Sequence, residues 1–506
     1  MSQRVLLTGA ALTIDQVVAV ARSNVRVDLS ATSRKAMKRS REWVERAIRQ
    51  HAIVYGITTG FGAFQNVFIR PDRLRELQRN LILSHCAGVG DPFPEEVVRA
   101  MLVLRANALA CGYSGIRVST VERLLDMLNR RVHPVVPEQG SVGSSGDLAP
   151  LSHAAAVLIG EGEAFYRGKR MPGRKAMKAA KITPVVLEAK EGLALNNGTQ
   201  AMTAIGALAV HDARRLADIA DIAAALSLEA LKGKATPFNA RVLATRPHTG
   251  QSISGRNIRI MISGSRLVDR VDHDTHEKVQ DSYSLRCAPQ VHGASRDAIE
   301  YAAGVVGKEI NSATDNPLIF AQTNEIFSAG NFHGQPVALA MDFLGLAVAE
   351  LGNISERRTA KLLDSHHNCG LPAFLAGDGG VESGLMIEQY TAAALVSENK
   401  VLIHPASGDS IPTSANQEDH VSMGTIAARQ TRQILRNVER VLAIELHCAY
   451  EALGYRAHKP GGGTRRALRR LREAVTPLRG DRALSHDIDR IVDLIRAGMF
   501  SGVLEE

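Results

Sequence analysis

The run Gly140-Ser141-Val142-Gly143-Ser144-Ser145-Gly146-Asp147-Leu148-Ala149-Pro150 brings small residues, two adjacent hydroxyls and one carboxylate into a single short stretch. Hydroxyls between glycines suggest phosphate binding or nucleophilic catalysis, and both fail on spacing. A phosphate loop needs Gly-Lys-Ser/Thr after its glycines, and Asp147 would repel the phosphate. A nucleophile elbow needs Gly-x-Ser-x-Gly, whereas here two serines stand between the glycines. On composition alone the stretch reads as a flexible surface loop. Asp272-His273-Asp274-Thr275-His276-Glu277 has the residue types of a metal site. Adjacent ligands on one segment rarely converge on one ion, so it reads as solvated charge and no metal is expected. His366-His367, near Cys369, is given no role.

The Gly140–Pro150 run resembles, almost letter for letter, the signature of the histidine and aromatic amino-acid ammonia-lyases. In that family an Ala-Ser-Gly triplet cyclises into a methylidene-imidazolone. The chemistry suits the composition: a glycine nitrogen, unhindered by a side chain, attacks the carbonyl two residues back, and the serine loses its hydroxyl as water. Carried onto this chain the triplet is Ser144-Ser145-Gly146, with serine where the family has alanine. The Ser144 side chain takes no bond-forming part, so the group is expected to form, with no external cofactor. Further matches span nearly the whole chain: Tyr55-Gly-Ile-Thr-Thr-Gly-Phe-Gly62, Leu77 to His85, Glu191 to Thr199, Lys278 to Cys287, Asp315-Asn-Pro-Leu, Gly330-Asn-Phe332-His and Asn416 to Met423.

The resemblance implies roles. Removing ammonia from an α-amino acid breaks a β-C–H bond that no carbonyl acidifies, so a base needs an electrophile beside it, here the group built on Ser145. Tyr55, on a glycine-flanked loop, would be the base; a phenol with a pKa near 10 needs help from positive charge or hydrogen bonds. Arg286 offers a two-pronged donor for the substrate carboxylate. Asn197, Gln280 and Tyr283 resemble the residues that hold carboxylate, imidazolone and amine, and Phe332 would press on the imidazolone. Where members acting on phenylalanine place Phe-Leu and Gln-Asp, this chain has Ser84-His85 and Gln417-Glu418. A histidine at 85 and a carboxylate at 418 suit a substrate imidazole, so histidine is the expected substrate. Tyrosine ammonia-lyase or aminomutase activity is the alternative within the class. A catalytically silent paralogue acting as a binding or scaffold protein is the alternative outside it.

The elements that must hold these residues are helices. The 506 residues are 45% hydrophobic, 22% charged and only 4% aromatic, which favours helices packed on helices. The expected fold is mainly α and ammonia-lyase-like: a loop-rich domain over residues 1–200 carrying the triplet, and a long helical bundle over 201–506. Leu216, Ile219, Ala223, Leu226 and Ala230 recur at helical spacing, and 337–354, 384–403 and 425–453 behave similarly. Residues 232–256 have a loop-like composition. Val441-Leu-Ala-Ile444 is apolar on more than one face, so this helix is expected to be enclosed by others or by another subunit.

The longest membrane-span candidate, Val337 to Leu351, carries Asp342 and Glu350, so no membrane role is expected. Val5-Leu6-Leu7 could seed a signal peptide, but Thr13 and Gln16 form a capping box ahead of Val17, Val18 and Val20, and no export signal is read. Five cysteines without a CxxC pair fit a reduced, cytoplasmic setting. The net charge of +9 has its densest stretch at Arg465 to Arg472, which reads as a solvated helix face or subunit contact, with no nucleic-acid partner. By resemblance the chain should be a homotetramer whose active sites borrow residues from neighbouring subunits.

Overall fold

The computed structural model describes residues 4–269 and 279–505; the acidic and histidine run 272–277 lies outside the described residues. The chain divides into two compact units. The first comprises Met1–His211, Ala302–Asp342 and Pro405–Arg429, the second Asp212–Tyr301, Phe343–His404 and Gln430–Glu506.

The first unit opens with strand Arg4–Leu7, paired in parallel with Arg26–Leu29 across the helix Ile14–Ser23. That helix starts at the expected capping box: the Gln16 amide donates to Thr13 Oγ1 at 3.2 Å and the Thr13 amide to Gln16 Oε1 at 3.0 Å. The core helix Glu95–Ala110 is buried on every side from Val97 onward. Its two arginines are therefore spent on backbone carbonyls, as buried cations must be. Arg99 donates to Val20 and Leu128, and Arg105 to Ala194, Asn197 and Thr314. Short strands fill the remainder, including a three-stranded antiparallel sheet of Val132–Pro134, Glu163–Tyr166 and Lys169–Pro172.

The second unit is helical. It takes the later residues of Gln200–Ala230, Gln335–Leu363 and Gly424–Gly454, most of Ala288–Glu309, and the whole of Thr249–Ile262, Met386–Leu402, Gly462–Ala474 and Ser485–Arg496. Leu216, Ile219, Ala223, Leu226 and Ala230 are all buried, as their spacing predicts. Residues 249–262 correct the expectation of a loop. Gly250 and Gly293 are not punctuation here; they let two helices touch. A Cβ on Gly250 would sit 2.2 Å from the Gly293 carbonyl oxygen, and one on Gly293 would sit 2.3 Å from the Gln251 nitrogen.

Val441 to Cys448 is fully buried within the single chain. Its apolar faces are thus accounted for without a second subunit and carry nothing about assembly. Gln335–Leu363 is the one helix among the described residues long and apolar enough to cross a membrane, but 67% of its most apolar window is buried in protein. Gly462–Ala474 buries Ala467, Leu468 and Leu471 and turns Arg465, Arg469 and Arg472 outward.

Candidate active site

Two cavities of similar size open in the first unit. One, of about 650 Å³, is lined by Phe93, His133, Phe165 and Arg131 among others, and contains none of the residues singled out for chemistry. The other, of about 660 Å³, is lined by Tyr55, His85, Ser145, Asn197 and Glu418, with Phe61, Phe64, Leu81, Leu148 and Leu193 as apolar walls. Five residues from five separate stretches of sequence converge there.

Each is fixed by its own local structure. Ile57, two residues beyond Tyr55, is buried in a cluster with Trp43, Val44, Leu74 and Ile319, which pins the Tyr55 loop. The Gly62 amide donates to the Tyr55 hydroxyl at 3.4 Å. His85 caps the C-terminus of helix Leu74–Ser84, with Ser84 Oγ 3.1 Å from its Nδ1. Glu418 closes a tight turn opposite Thr413, whose hydroxyl donates to Glu418 Oε2 at 2.9 Å. Ser414, Ala415 and Asn416 inside that turn all hold positive φ, with φ of 51, 53 and 65°. The other carboxylate oxygen of Glu418 accepts from Ser145 Oγ at 3.3 Å. Asn197 follows helix Glu191–Asn196, and its carbonyl is held by Arg105 at 3.0 Å.

The triplet stretch is clamped from several distant parts of the chain. Gly146 has φ +75°, and a Cβ on it would lie 2.2 Å from the Gly198 carbonyl oxygen; on Gly143, at φ +69°, a Cβ would lie 2.2 Å from Ser422 Oγ. Asp147 is fully buried and accepts from the Ala201 and Met202 amides, each at 2.9 Å, from Ser141 Oγ at 2.8 Å, and from Thr425 Oγ1. Sequence reasoning had used Asp147 only as an argument against phosphate. Its place inside the motif was the available signal that it anchors the loop. Ser144 is 7% exposed, and its hydroxyl makes no hydrogen bond among the described residues. Asn197 Oδ1 is buried beside this loop without a partner. A glycine nitrogen in a cradle that excludes any side chain, a neighbouring serine open to the cavity and a spare buried acceptor together fit a ring built from Ser144-Ser145-Gly146.

The cavity is poor in charge. Among the described residues its lining includes no lysine or arginine, so none of these lining residues supplies the cation that would help the Tyr55 phenol ionise. Burial pushes that phenol up, the Gly62 amide opposes the push, and Glu418 adds to it. Burial also pushes His85 down, against its contact with the Leu81 carbonyl and the Glu418 charge, so the imidazole is neutral at neutral pH.

The remaining expected residues lie elsewhere. Phe332 belongs to the first unit but does not line this cavity. Gln280, Tyr283 and Arg286 belong to the second unit, where Tyr283 borders a separate cavity of about 730 Å³ with Arg357, Lys361, Phe374 and the His366-His367 pair. His366 and His367 both bond Asp364, through Nδ1 at 3.1 and 2.6 Å. Among the described residues no group of three or more candidate ligands could hold a metal.

Residues 12–473 match the family model described as aromatic amino acid lyase. The chain is 56% identical over 505 residues to the histidine ammonia-lyase of Caldanaerobacter subterraneus subsp. tengcongensis, spanning 100% of this chain and 99% of that one. Among solved structures, the histidine ammonia-lyase from Trypanosoma cruzi is 42% identical with a TM-score of 0.92, covering 99% of this chain and 95% of that one. The tyrosine aminomutase from Streptomyces globisporus is 38% identical with a TM-score of 0.94, covering 99% and 98%. The mainly helical architecture expected from the sequence is that of these structures.

Proposed function

Given that the chain belongs to the aromatic amino acid lyase family, we propose that it is a carbon–nitrogen lyase that eliminates ammonia from L-histidine to give trans-urocanate. The observation that carries this reading is the meeting of His85 and Glu418 with Tyr55 and Ser145 around one cavity. A 4-methylidene-imidazol-5-one self-formed from Ser144-Ser145-Gly146, with no external cofactor, supplies an electrophilic alkene that lets the amine depart.

The chain's own residues do the rest. Glu418, steadied by Thr413, accepts an N–H of the substrate imidazole, and neutral His85 bonds the ring's other nitrogen. Neither group suits a phenyl ring, and beside a tyrosine substrate Glu418 would face a hydrocarbon edge. Asn197 offers its open Oδ1 to the substrate. Tyr55 removes the β-proton, and because its phenol is pushed up, turnover should climb as pH rises on the alkaline side.

Among the described residues the cavity's lining offers no lysine or arginine to meet the substrate carboxylate. This supports a homotetramer in which Arg286, with Gln280, Tyr283 and Phe332, completes the site of a neighbouring copy. The same arginine brings the positive charge that Tyr55 needs. Five free cysteines support a cytoplasmic setting.

An ultraviolet assay with histidine, tyrosine and phenylalanine side by side tests the proposal, since each product is a conjugated acid with its own absorption. Histidine should be turned over far faster than either. Equal rates on tyrosine would favour the tyrosine lyase or aminomutase reading, and no turnover of any of the three would favour the silent scaffold. His85→Leu should weaken histidine turnover by about 10- to 100-fold, the cost of leaving a substrate ring nitrogen unpaired in a dry pocket, about 1–3 kcal/mol.

A further inference from the structure

Inside the second unit a continuous chain of ionisable side chains has no contact with solvent. Asp221, His292, Arg358 and Glu445 are each 0% exposed. Arg358 grips Glu445 with two prongs, Nε to Oε1 at 2.6 Å and Nη2 to Oε2 at 2.8 Å. Ser227 Oγ donates to the same Oε1 at 2.7 Å. On the other side Arg358 Nη1 lies 3.3 Å from His292 Nε2, and His292 Nδ1 lies 2.8 Å from Asp221 Oδ1. Asp221 in turn accepts from Arg296 at 2.6 Å and from Asn257 at 2.9 Å.

The protons can be placed from these partners. A carboxylate has nothing to donate, so His292 carries its proton on Nδ1 and presents a lone pair at Nε2 to Arg358. A protonated His292 would set two donors against each other. Burial, opposed by Asp221, also pushes this imidazole down, in keeping with a neutral ring. With Glu445 and His292 both held, the Nη1 group of Arg358 has one direction left. It points at the backbone carbonyl of Ser284, 3.3 Å away.

Ser284 lies in the four-residue helix Tyr283–Arg286. The Arg286 guanidinium lies over the Tyr283 ring, 4.6 Å from its centroid, and Arg286 Nε is buried without a partner. Arg286 is thus held ready on a helix too short to hold itself. We propose that Arg358 is a positioning residue: locked between Glu445 and His292, it fastens the Ser284 carbonyl and so sets the angle at which Arg286 meets the substrate's carboxylate. This rests on the reading of Arg286 as the carboxylate clamp. Stability alone is a poor reason for such a network, because buried ion pairs are often replaceable by apolar residues at no loss.

Two competitive ligands separate positioning from general damage. Imidazolepropionate carries the ring and the carboxylate, whereas histamine carries the ring and the amine. In the full-length enzyme, Arg358→Met combined with Glu445→Gln removes both charges together and avoids stranding either one. Inhibition by imidazolepropionate and the KM for histidine should each weaken by about tenfold or more, while inhibition by histamine stays within about twofold. Arg358→Lys, which keeps a charge opposite Glu445 but lacks the fork, should show the same split and serves if the double variant does not fold. Equal weakening of both ligands, or of neither, overturns the proposal. Arg286→Ala is the control on the premise. If it spares imidazolepropionate, the clamp reading has failed; if it weakens that ligand while the Arg358 variants do not, the positioning role alone has failed.

Discussion

Asn197 Oδ1, buried beside the Ser145 loop, accepts nothing, whereas both nitrogens of His292 and four of the five N–H groups of Arg358 are bonded. The first unit thus leaves polar capacity unspent around the cavity and holds a phenol and an imidazole in their neutral forms. The Arg358 network spends nearly all of its own internally. Unmet capacity is costly to bury, so it persists where a ligand is to meet it, while a closed network fixes geometry. The cavity's open acceptor and the closed Arg358 network are therefore two different uses of buried polarity.

The sharpest way to break the contrast is Ser145→Ala. The wild-type chain should be lighter than its sequence by two water molecules, and this variant should lose both the deficit and all lyase activity, as read by intact-protein mass and ultraviolet assay. A wild-type tryptic peptide spanning residues 144 to 146 at full mass would sink the enzyme reading. Tyr55→Phe comes next: the mass deficit should remain while kcat falls by about a hundredfold or more and the alkaline rise in rate disappears. Near-normal turnover would move the base elsewhere, with Glu418 the next group to test.

The closed network should respond in stability. Glu445→Ala leaves Arg358 buried and unpaired and should cost about 3–5 kcal/mol in denaturant unfolding, whereas the paired Arg358→Met, Glu445→Gln variant should come close to wild type. Similar losses in both would show that the individual charges matter and the pairing does not. The smallest effect is expected from Ser144→Ala. Its hydroxyl is unbonded among the described residues, so neither the mass deficit nor the rate should change appreciably.

Much of the helical framework was legible because it rests on local rules. The Thr13–Gln16 box and the spacing from Leu216 to Ala230 need only a few residues to express themselves. Gly250 misled because a glycine that lets helices touch and one that breaks a helix are the same letter; only Gly293, far along the chain, tells them apart. The candidate site was legible as a set of residues, since the motifs named Tyr55, His85, Ser145, Asn197 and Glu418, and these converge. That Gln280, Tyr283 and Arg286 do not line this cavity was not legible, because motif order records ancestry without recording which cavity a residue lines. Arg105 and Arg358 escaped notice for a related reason: each acts through backbone or through another side chain, and nothing in its neighbours' letters marks that.

The clamp on the triplet also has a consequence for timing. Gly146 lies against Gly198, Gly143 against Ser422, and Asp147 is tied to Thr425. These partners leave the ribosome after the triplet does, and the last of them, Thr425, follows Asp147 by 278 residues. The geometry that favours ring closure is thus assembled only after most of the chain has been made. An alkene electrophilic enough to be attacked by amines would then arise inside an already formed cavity, and the early half-made chain would not display it to the nucleophiles around it.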